Sequence, residues 1–316
     1  EPYQQECVQN NFGKAAWLML TSGSDPAIQA YGLQILAALA PYLCKPSSCP
    51  PESLSGIHSV EEESPLNQDL LTRPEVYKAI LHLATAFPIQ CHLFAAECFW
   101  CLTKMVTDEK FYVDLCHDGL AELLPSLARA TDDSSCRTLT VETVYHLAAN
   151  EVCTHMMMEH DILESLNELT AYGDSEVVLH IASCFARFAE FQSNRKELLD
   201  RGCLHAITIL AHSGDEVQLH VAKTFALLSE NITEEMIQIF LSEGVLHCLG
   251  PFAYVEDLPT AQYTAKAFAH LTTNCRGNIK YQIANNSLEV IIALANRDDQ
   301  ETRRFAVKAL ANLTVL

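Results

Sequence analysis

The chain has 316 residues, 49% hydrophobic and 19% charged, which allows a large folded core and excludes a disordered chain. A formal net charge of −20 argues against a nucleic-acid-binding surface. No run of about 18 apolar residues is free of charge, so no membrane-spanning helix is predicted. The 13 cysteines, many inside apolar helical stretches, fit a reducing compartment, and we expect a cytoplasmic location. The start "EPYQQECVQNN" has no signal-peptide pattern, and we expect a piece of a longer protein.

The first segment, residues 1–44, contains "FGKAAWLMLTSGSDPAIQAYGLQILAAL", in which two helical patterns are present and Asp25 stands before the second as its expected cap. The next stretch, residues 45–74, is rich in proline, serine and acidic residues. It predicts a long, mobile projecting loop, and its Ser64-Pro65 pair, which follows three glutamates, is either a phosphorylation site or part of a plain solvated loop.

A repeat begins after this loop. Residues suited to tight turns recur at spacings of 42, 41, 42 and 42, namely Gly119, Asp161, Gly202, Gly244 and Asn286. Thirteen residues after each stands an aspartate, which can accept the free N–H groups at a helix start: Asp132, Asp174, Asp215, Asp257 and Asp299. Each unit therefore reads as a short helix, a turn, a second helix, another turn and a longer third helix.

The repeated units divide the rest of the chain. Residues 1–44 form an N-terminal partial unit, and residues 75–316 form the remaining ones. The predicted units span 75–117, 118–159, 160–200, 201–242, 243–284 and 285–316, the last one incomplete. Units of this size cannot bury their apolar faces alone, so we expect about seven of them to stack into a solenoid.

The pattern "GxLxxLxxLxxxxDxEVxxxAxxALxNL" is clear across residues 119–316 and fair across 10–118, and it resembles the armadillo repeat family. The resemblance implies an all-α, right-handed superhelical solenoid whose third helices line a concave peptide-binding surface. In importin-like members, an asparagine in each third helix grips the peptide backbone, and a tryptophan stands four residues before it. We call the position of the asparagine the ladder position, and the position of the tryptophan, four residues earlier, the row position.

This chain lacks the tryptophan–asparagine ladder, so capture of a basic nuclear-localisation peptide is poorly supported. The ladder position reads Ala38, Cys101, His146, Arg187, Leu227, His270 and Asn312. The row position reads Gln34, Glu97, Glu142, Ser183, Lys223, Lys266 and Lys308. Two such positions share a helix face because they lie one turn apart.

The third helices predict a groove with an acidic early end and a basic late end. The candidate binding residues are Glu97, Trp100, Glu142, His146, His180, Arg187, His220, Lys223, Tyr263, Lys266, His270, Arg304, Lys308 and Asn312. The late cations, aromatic rings and amides suit an acidic or phosphorylated peptide segment, or an anionic small ligand. Ordinary solvated positions on a concave wall are the alternative. Trp100 is either an anchor at the groove rim or a packing residue between units.

No catalytic, metal or cofactor site is predicted. The CxxC pair Cys98 and Cys101 lies on a helix with Cys98 in the core stripe, which disfavours a redox or zinc role. Cys153, His155 and His160 are poorly spaced for one metal ion on a helix. We therefore expect a non-catalytic protein-interaction scaffold within a larger protein. Two alternatives remain open: a regulatory armadillo domain that senses a small anionic ligand for an attached enzyme, and the substrate-recognition arm of a ubiquitin ligase.

Overall fold

The computed structural model describes residue 7 and residues 12–22, 25–43, 70–129, 133–172, 175–273 and 275–314. The regular structure in these ranges is helical, with no strand among them. The helices up to residue 159 are α1 Phe12–Ser22, α2 Pro26–Leu43, α3 Pro74–Ala86, α4 Pro88–Met105, α5 Glu109–Leu115, α6 Ala121–Ala128, α7 Ser134–Leu147 and α8 Glu151–Glu159. The later helices are α9 Ile162–Leu169, α10 Ser175–Glu190, α11 Gln192–Asp200, α12 Cys203–Leu210, α13 Asp215–Leu228, α14 Glu234–Ser242, α15 Val245–Phe252, α16 Leu258–Thr273, α17 Gly277–Ala295 and α18 Gln300–Thr314.

The chain forms two compact units, residues 1–162 and 163–316. In the first unit the third helices α2, α4 and α7 pack on one another in chain order, and in the second α10, α13, α16 and α18 do the same. One core position recurs two residues before the ladder position. In the six third helices from α2 to α16 its side chains are fully buried: Leu36, Phe99, Val144, Phe185, Phe225 and Phe268. Burying a phenylalanine stabilises a fold by about 1.5–3 kcal/mol, so this position anchors each of these helices in the core of its unit.

The predicted turns are confirmed at four of the five positions. Gly119, Gly202 and Gly244 have φ values of 123°, 72° and 77°, and Asp161 has a φ of 61°. These left-handed conformations explain why glycine or aspartate recurs there.

The predicted turn at Asn286 is wrong, because α17 runs unbroken from Gly277 to Ala295. Ile283, Ser287 and Ile291 are buried at spacings of one helical turn, so a continuous stripe faces the core. Asn286 donates a hydrogen bond from Nδ2 to the carbonyl of Gln282, four residues earlier on the same helix (2.8 Å). Two predicted helices are therefore a single one in this repeat.

The predicted aspartate caps are confirmed in part. Asp25, Asp257 and Asp299 each precede a third helix, and each accepts a backbone N–H of its first turn, from Ala27, Thr260 and Thr302. Asp215 is wrong as a cap, because Gly214 precedes α13 while Asp215 is its first residue and accepts from Gln218. Before α7 the cap is Asp133, which accepts from Ser135 and Cys136. Asp132 and Asp174 lie outside the described residues.

Most of the predicted loop at residues 45–74, including Ser64 and Pro65, also lies outside the described residues. Its end forms a turn in which Leu70 and Leu71 are buried, before α3 begins at Pro74. The boundaries assigned to the individual repeats stay a prediction.

Candidate functional site

In the first unit, Trp100 links two neighbouring third helices. Its indole Nε1 on α4 donates to Oε2 of Glu142 on α7 (2.5 Å). The ammonium of Lys104 lies over the same ring, 4.2 Å from its centroid. A hydrogen bond to a charged carboxylate and a cation–π contact both hold this indole in place. The predicted anchor, Trp100, is thus held by contacts within the protein at one edge and on one face of its ring.

Glu97 and His146 differ in how they are held. Burial, and next the charge of Asp133, raise the pKa of the Glu97 carboxyl above its ordinary value. His146 Nδ1 lies 3.3 Å from the Thr103 hydroxyl. The single hydroxyl proton of Thr103 is already donated to the Phe99 carbonyl, so His146 Nδ1–H donates to the Thr103 oxygen.

In the second unit, the first lysine of the row is neutralised. Lys223 Nζ on α13 lies 2.5 Å from Oε1 of Glu190 at the end of α10, and Arg187 lies 3.9 Å from the other oxygen. His220 lies one turn before Lys223, and burial, followed by the charges of Lys223, Arg187 and His180, lowers its pKa. One carboxylate therefore serves two cations at this point of the row.

The other two lysines lack such a partner. Among the described residues, no carboxylate forms an ion pair with Lys266 or Lys308. Glu230, on which the charge of Lys266 acts, is held by Arg195 at 2.8 Å, and this bond is the main cause of the lowered pKa of Glu230. Lys308 is exposed and Lys266 is half-buried. Two ammonium groups are thus available at this end of the second unit.

His270 lies beside these two lysines. Its Nδ1 is 3.0 Å from the Ala226 carbonyl, which can only accept, so Nδ1 carries the proton. Burial lowers the pKa of His270, and the charges of Lys266 and Lys308 act in the same direction. The neutral ring therefore keeps its Nε2 lone pair. A negative charge brought to this cluster would favour protonation of the ring.

At three ladder positions, the side chain ties a third helix to the one before it. Asn312 Nδ2 on α18 donates to the Ala269 carbonyl (3.4 Å) and to the hydroxyls of Thr272 and Thr273 (3.2 and 3.3 Å) on α16. His270 on α16 makes the matching contact to α13, and His146 on α7 contacts α4. Ladder side chains in both units thus have a structural role between helices.

The remaining predicted residues are at least partly accessible. His180 and Tyr263 are half-buried, and the Arg304 guanidinium lies over the neighbouring Phe305 ring, 4.8 Å from its centroid. Glu190, Glu230 and Arg195 were not among the residues predicted from the sequence. A signal existed, because "RFAE" and "LLSE" both place a glutamate three residues after the ladder position.

The two cysteines of the CxxC pair lie in the core of the first unit. Cys98 and Cys101 are both buried, neither forms a disulfide, and burial raises the pKa of the Cys101 thiol to about 11. In the ranges that the structure describes, no group of three or more histidine, cysteine or acidic side chains could hold a metal ion. None of the described helices is long and apolar enough to cross a membrane.

Comparison with known proteins identifies the fold. No family model and no curated protein matches the sequence. A solved structure of computationally designed armadillo repeat proteins for modular peptide recognition is similar, with a TM-score of 0.65 at 18% identity over 75% of this chain and 99% of the other. A designed armadillo repeat protein in complex with the peptide (KR)4 gives a TM-score of 0.64 at 16% identity, over 75% of this chain and 99% of that one.

A third solved structure, an engineered protein, extends the match to 98% of this chain and 70% of its own, with a TM-score of 0.71 at 19% identity. The chain therefore has the armadillo-repeat fold. The predicted all-α solenoid of armadillo-type repeats is confirmed, while the exact number of repeats stays a prediction.

Proposed function

We propose that the chain is a peptide-binding interaction module, and that the row and ladder side chains of residues 163–316 bind an acidic or phosphorylated segment of a partner protein. The observation that carries this proposal is the pair Lys266 and Lys308, neither of which forms an ion pair with a carboxylate among the described residues. The designed proteins of the same fold recognise peptides, one of them the peptide (KR)4, which supports an extended peptide as the ligand.

The chemistry of the cluster favours an anion. Carboxylates and phosphates accept charge-assisted hydrogen bonds from ammonium groups, and these are stronger than neutral hydrogen bonds. Lys266 and Lys308 both lower the pKa of His270, so the two ammonium groups create a positive potential at this neutral ring. A bound anion would offset that potential. Lys223 contributes less in this proposal, because Glu190 already neutralises it.

The experiment measures binding of a fluorescein-labelled hexaglutamate peptide with both termini blocked, by fluorescence polarisation at low salt. The variant Lys266→Glu with Lys308→Glu is expected to weaken binding about tenfold or more, and each tenfold corresponds to about 1.4 kcal/mol. Raising the salt concentration should weaken binding to the wild type, because exposed charges are screened.

The control variant is Lys196→Glu with Arg276→Glu, which makes the same change in net charge at two exposed residues outside the third helices. Once the general effect of net charge is corrected for, this control should bind the peptide within about twofold of the wild type. Equal losses in the two variants would contradict a specific site. Binding that requires a free peptide terminus, or competition by a free anionic metabolite alone, would favour recognition of a chain end or of a small ligand.

A further inference from the structure

A second surface of residues 163–316 carries Tyr254 and Tyr281. Among the large apolar residues that the structure describes, their side chains are the two most exposed. Tyr254 lies in the connection between α15 and α16 and is 65% exposed, and Tyr281 on α17 is 68% exposed. Both line one open pocket of about 420 Å³, together with Ala284, Leu288 and Val290. Adjacent exposed aromatic and aliphatic side chains of this kind mark interaction surfaces rather than core packing.

The connection that carries Tyr254 is held in place. The backbone N–H of Tyr254 donates to the Pro251 carbonyl (3.0 Å). The guanidinium of Arg297 donates to the carbonyl of Val255, the next residue. Tyr254 therefore presents its ring from an ordered backbone, which lowers the entropy cost of binding a partner.

Tyr254 also borders an acidic pocket. This pocket of about 630 Å³ is lined by four acidic residues, Asp215, Glu216, Glu256 and Asp257, with Leu219 and Val255. Asp215 and Asp257 accept hydrogen bonds from Gln218 and Thr260, which are neutral. Among the described residues, no cation forms an ion pair with any of the four carboxylates. The nearby Arg297 is turned towards the Val255 backbone, and its Nη1 is buried.

We propose that this surface, defined by Tyr254, Tyr281, Leu288, Glu216 and Glu256, docks a basic segment of a partner protein. An arginine of the segment stacks on the Tyr254 ring and meets the carboxylates of Glu216 and Glu256. A neighbouring aliphatic side chain of the segment fills the pocket between the two tyrosines. Charge complementarity selects this occupant, because the pocket beside an exposed aromatic ring carries acidic groups that have no ion-pair partner in the part of the chain that the structure describes.

This surface is separate from the lysine cluster and selects the opposite charge. The acidic pocket and the tyrosine pocket contain no residue of the row or ladder positions. The two proposals can therefore fail independently.

The test uses the full chain and two blocked, fluorescein-labelled hexapeptides, one alternating arginine with leucine and the other arginine with serine. The wild type should bind the arginine–leucine peptide at least about fivefold more tightly, because only leucine fills the tyrosine pocket. Tyr254→Ala with Tyr281→Ala should weaken binding of this peptide about tenfold. Tyr254→Phe with Tyr281→Phe, which keeps both rings, should bind as the wild type does.

The electrostatic half of the proposal has its own matched pair. Glu216→Gln with Glu256→Gln should weaken binding several-fold and reduce its salt dependence. Glu234→Gln with Glu235→Gln removes the same charge from exposed positions on α14 and should leave affinity unchanged. Equal effects of the two pairs, or full binding by the double alanine variant, would overturn the proposal. The Lys266→Glu and Lys308→Glu variant should retain this binding even if it loses the acidic peptide.

Discussion

The two compact units place different chemistry at equivalent positions of their third helices. In residues 1–162 the row position carries Glu97 and Glu142, whereas in residues 163–316 it carries Lys223, Lys266 and Lys308. In the first unit Glu142 is engaged by the Trp100 indole, and in the second Lys223 is engaged by Glu190. In each unit, therefore, one charged row residue has a structural contact and the others remain available. The charge of a row residue alone does not show whether it can bind a partner.

The core position shared by both units should give the largest effects. Phe99 and Phe268 are fully buried two residues before the ladder position, one in each unit. Replacing either by alanine should lower the free energy of unfolding by about 3–5 kcal/mol, because a cavity is left behind. Hydrogen exchange shows where stability is lost. Phe99→Ala should first increase the exchange rate of amides in residues 70–162, and Phe268→Ala that of amides in residues 163–314. Equal loss of protection in both units would contradict two separate compact units.

The two glutamates of the first unit should respond differently to the same substitution. Glu142→Gln replaces the charged acceptor of the Trp100 indole and should cost about 1–3 kcal/mol in urea unfolding. Glu97→Gln should be neutral or stabilising, because the raised pKa of Glu97 shows that its ionised form is disfavoured in the folded protein.

The pH dependence of these variants supplies the control. A carboxyl whose pKa is raised by folding binds protons more tightly in the folded state, so stability rises as pH falls from neutrality through that pKa. Glu97→Gln should remove this rise, and Glu142→Gln should retain it. A large destabilisation by Glu97→Gln at neutral pH would mean that this carboxylate has a favourable partner.

The lysines of the second unit allow the same comparison on a smaller scale. Lys223→Met should lower the free energy of unfolding by about 0.5–1 kcal/mol, since it breaks a partly buried ion pair with Glu190. Lys308→Met should change it by less than about 0.5 kcal/mol, because Lys308 is exposed and lacks an ion pair among the described residues. For binding of the hexaglutamate peptide, the order should reverse. A larger binding loss from Lys223→Met than from Lys308→Met would contradict the proposed site.

The sequence predicted the repeat because its signals are local. A turn residue followed thirteen positions later by an aspartate recurs near every 42 residues, as with Gly244 and Asp257. The prediction failed at Asn286, where the burial of Ile283 and Ile291 on one helix face outweighs the turn tendency of asparagine. Tertiary packing decides such cases, and a single repeat does not reveal it.

The sequence predicted the residue types of the row but could not predict their partners. Lys223 and Glu190 are 33 residues apart, and His270 reaches a carbonyl 44 residues earlier. Both contacts depend on how neighbouring third helices pack and on which rotamers fit between them. The charge at a repeated position could therefore be predicted from the sequence. Whether a neighbouring side chain pairs with that charge could be seen only in the structure.

The smallest effect expected is a pH dependence of peptide binding in the second unit. His270 faces the Ala226 carbonyl, Ser229, Lys266, Glu230 and Lys308, and its pKa lies below the ordinary value of 6.5, so the ring is neutral at neutral pH. A bound glutamate carboxylate favours the protonated ring and raises this pKa in the complex. The complex then binds more protons than the free protein, so affinity for the hexaglutamate peptide should rise as pH falls towards about 5.5, by about threefold.

His270→Gln should remove this rise and leave the affinity at neutral pH close to that of the wild type, because glutamine can still donate to the Ala226 carbonyl. His220→Gln is the matched control, since the pKa of His220 is also lowered but its ring lies beside Lys223, which Glu190 neutralises. Fluorescence polarisation across the pH range distinguishes the two variants. A pH dependence that disappears with His220→Gln and persists with His270→Gln would move the anion site to Lys223, and the distinction between engaged and available lysines in the second unit would then fail.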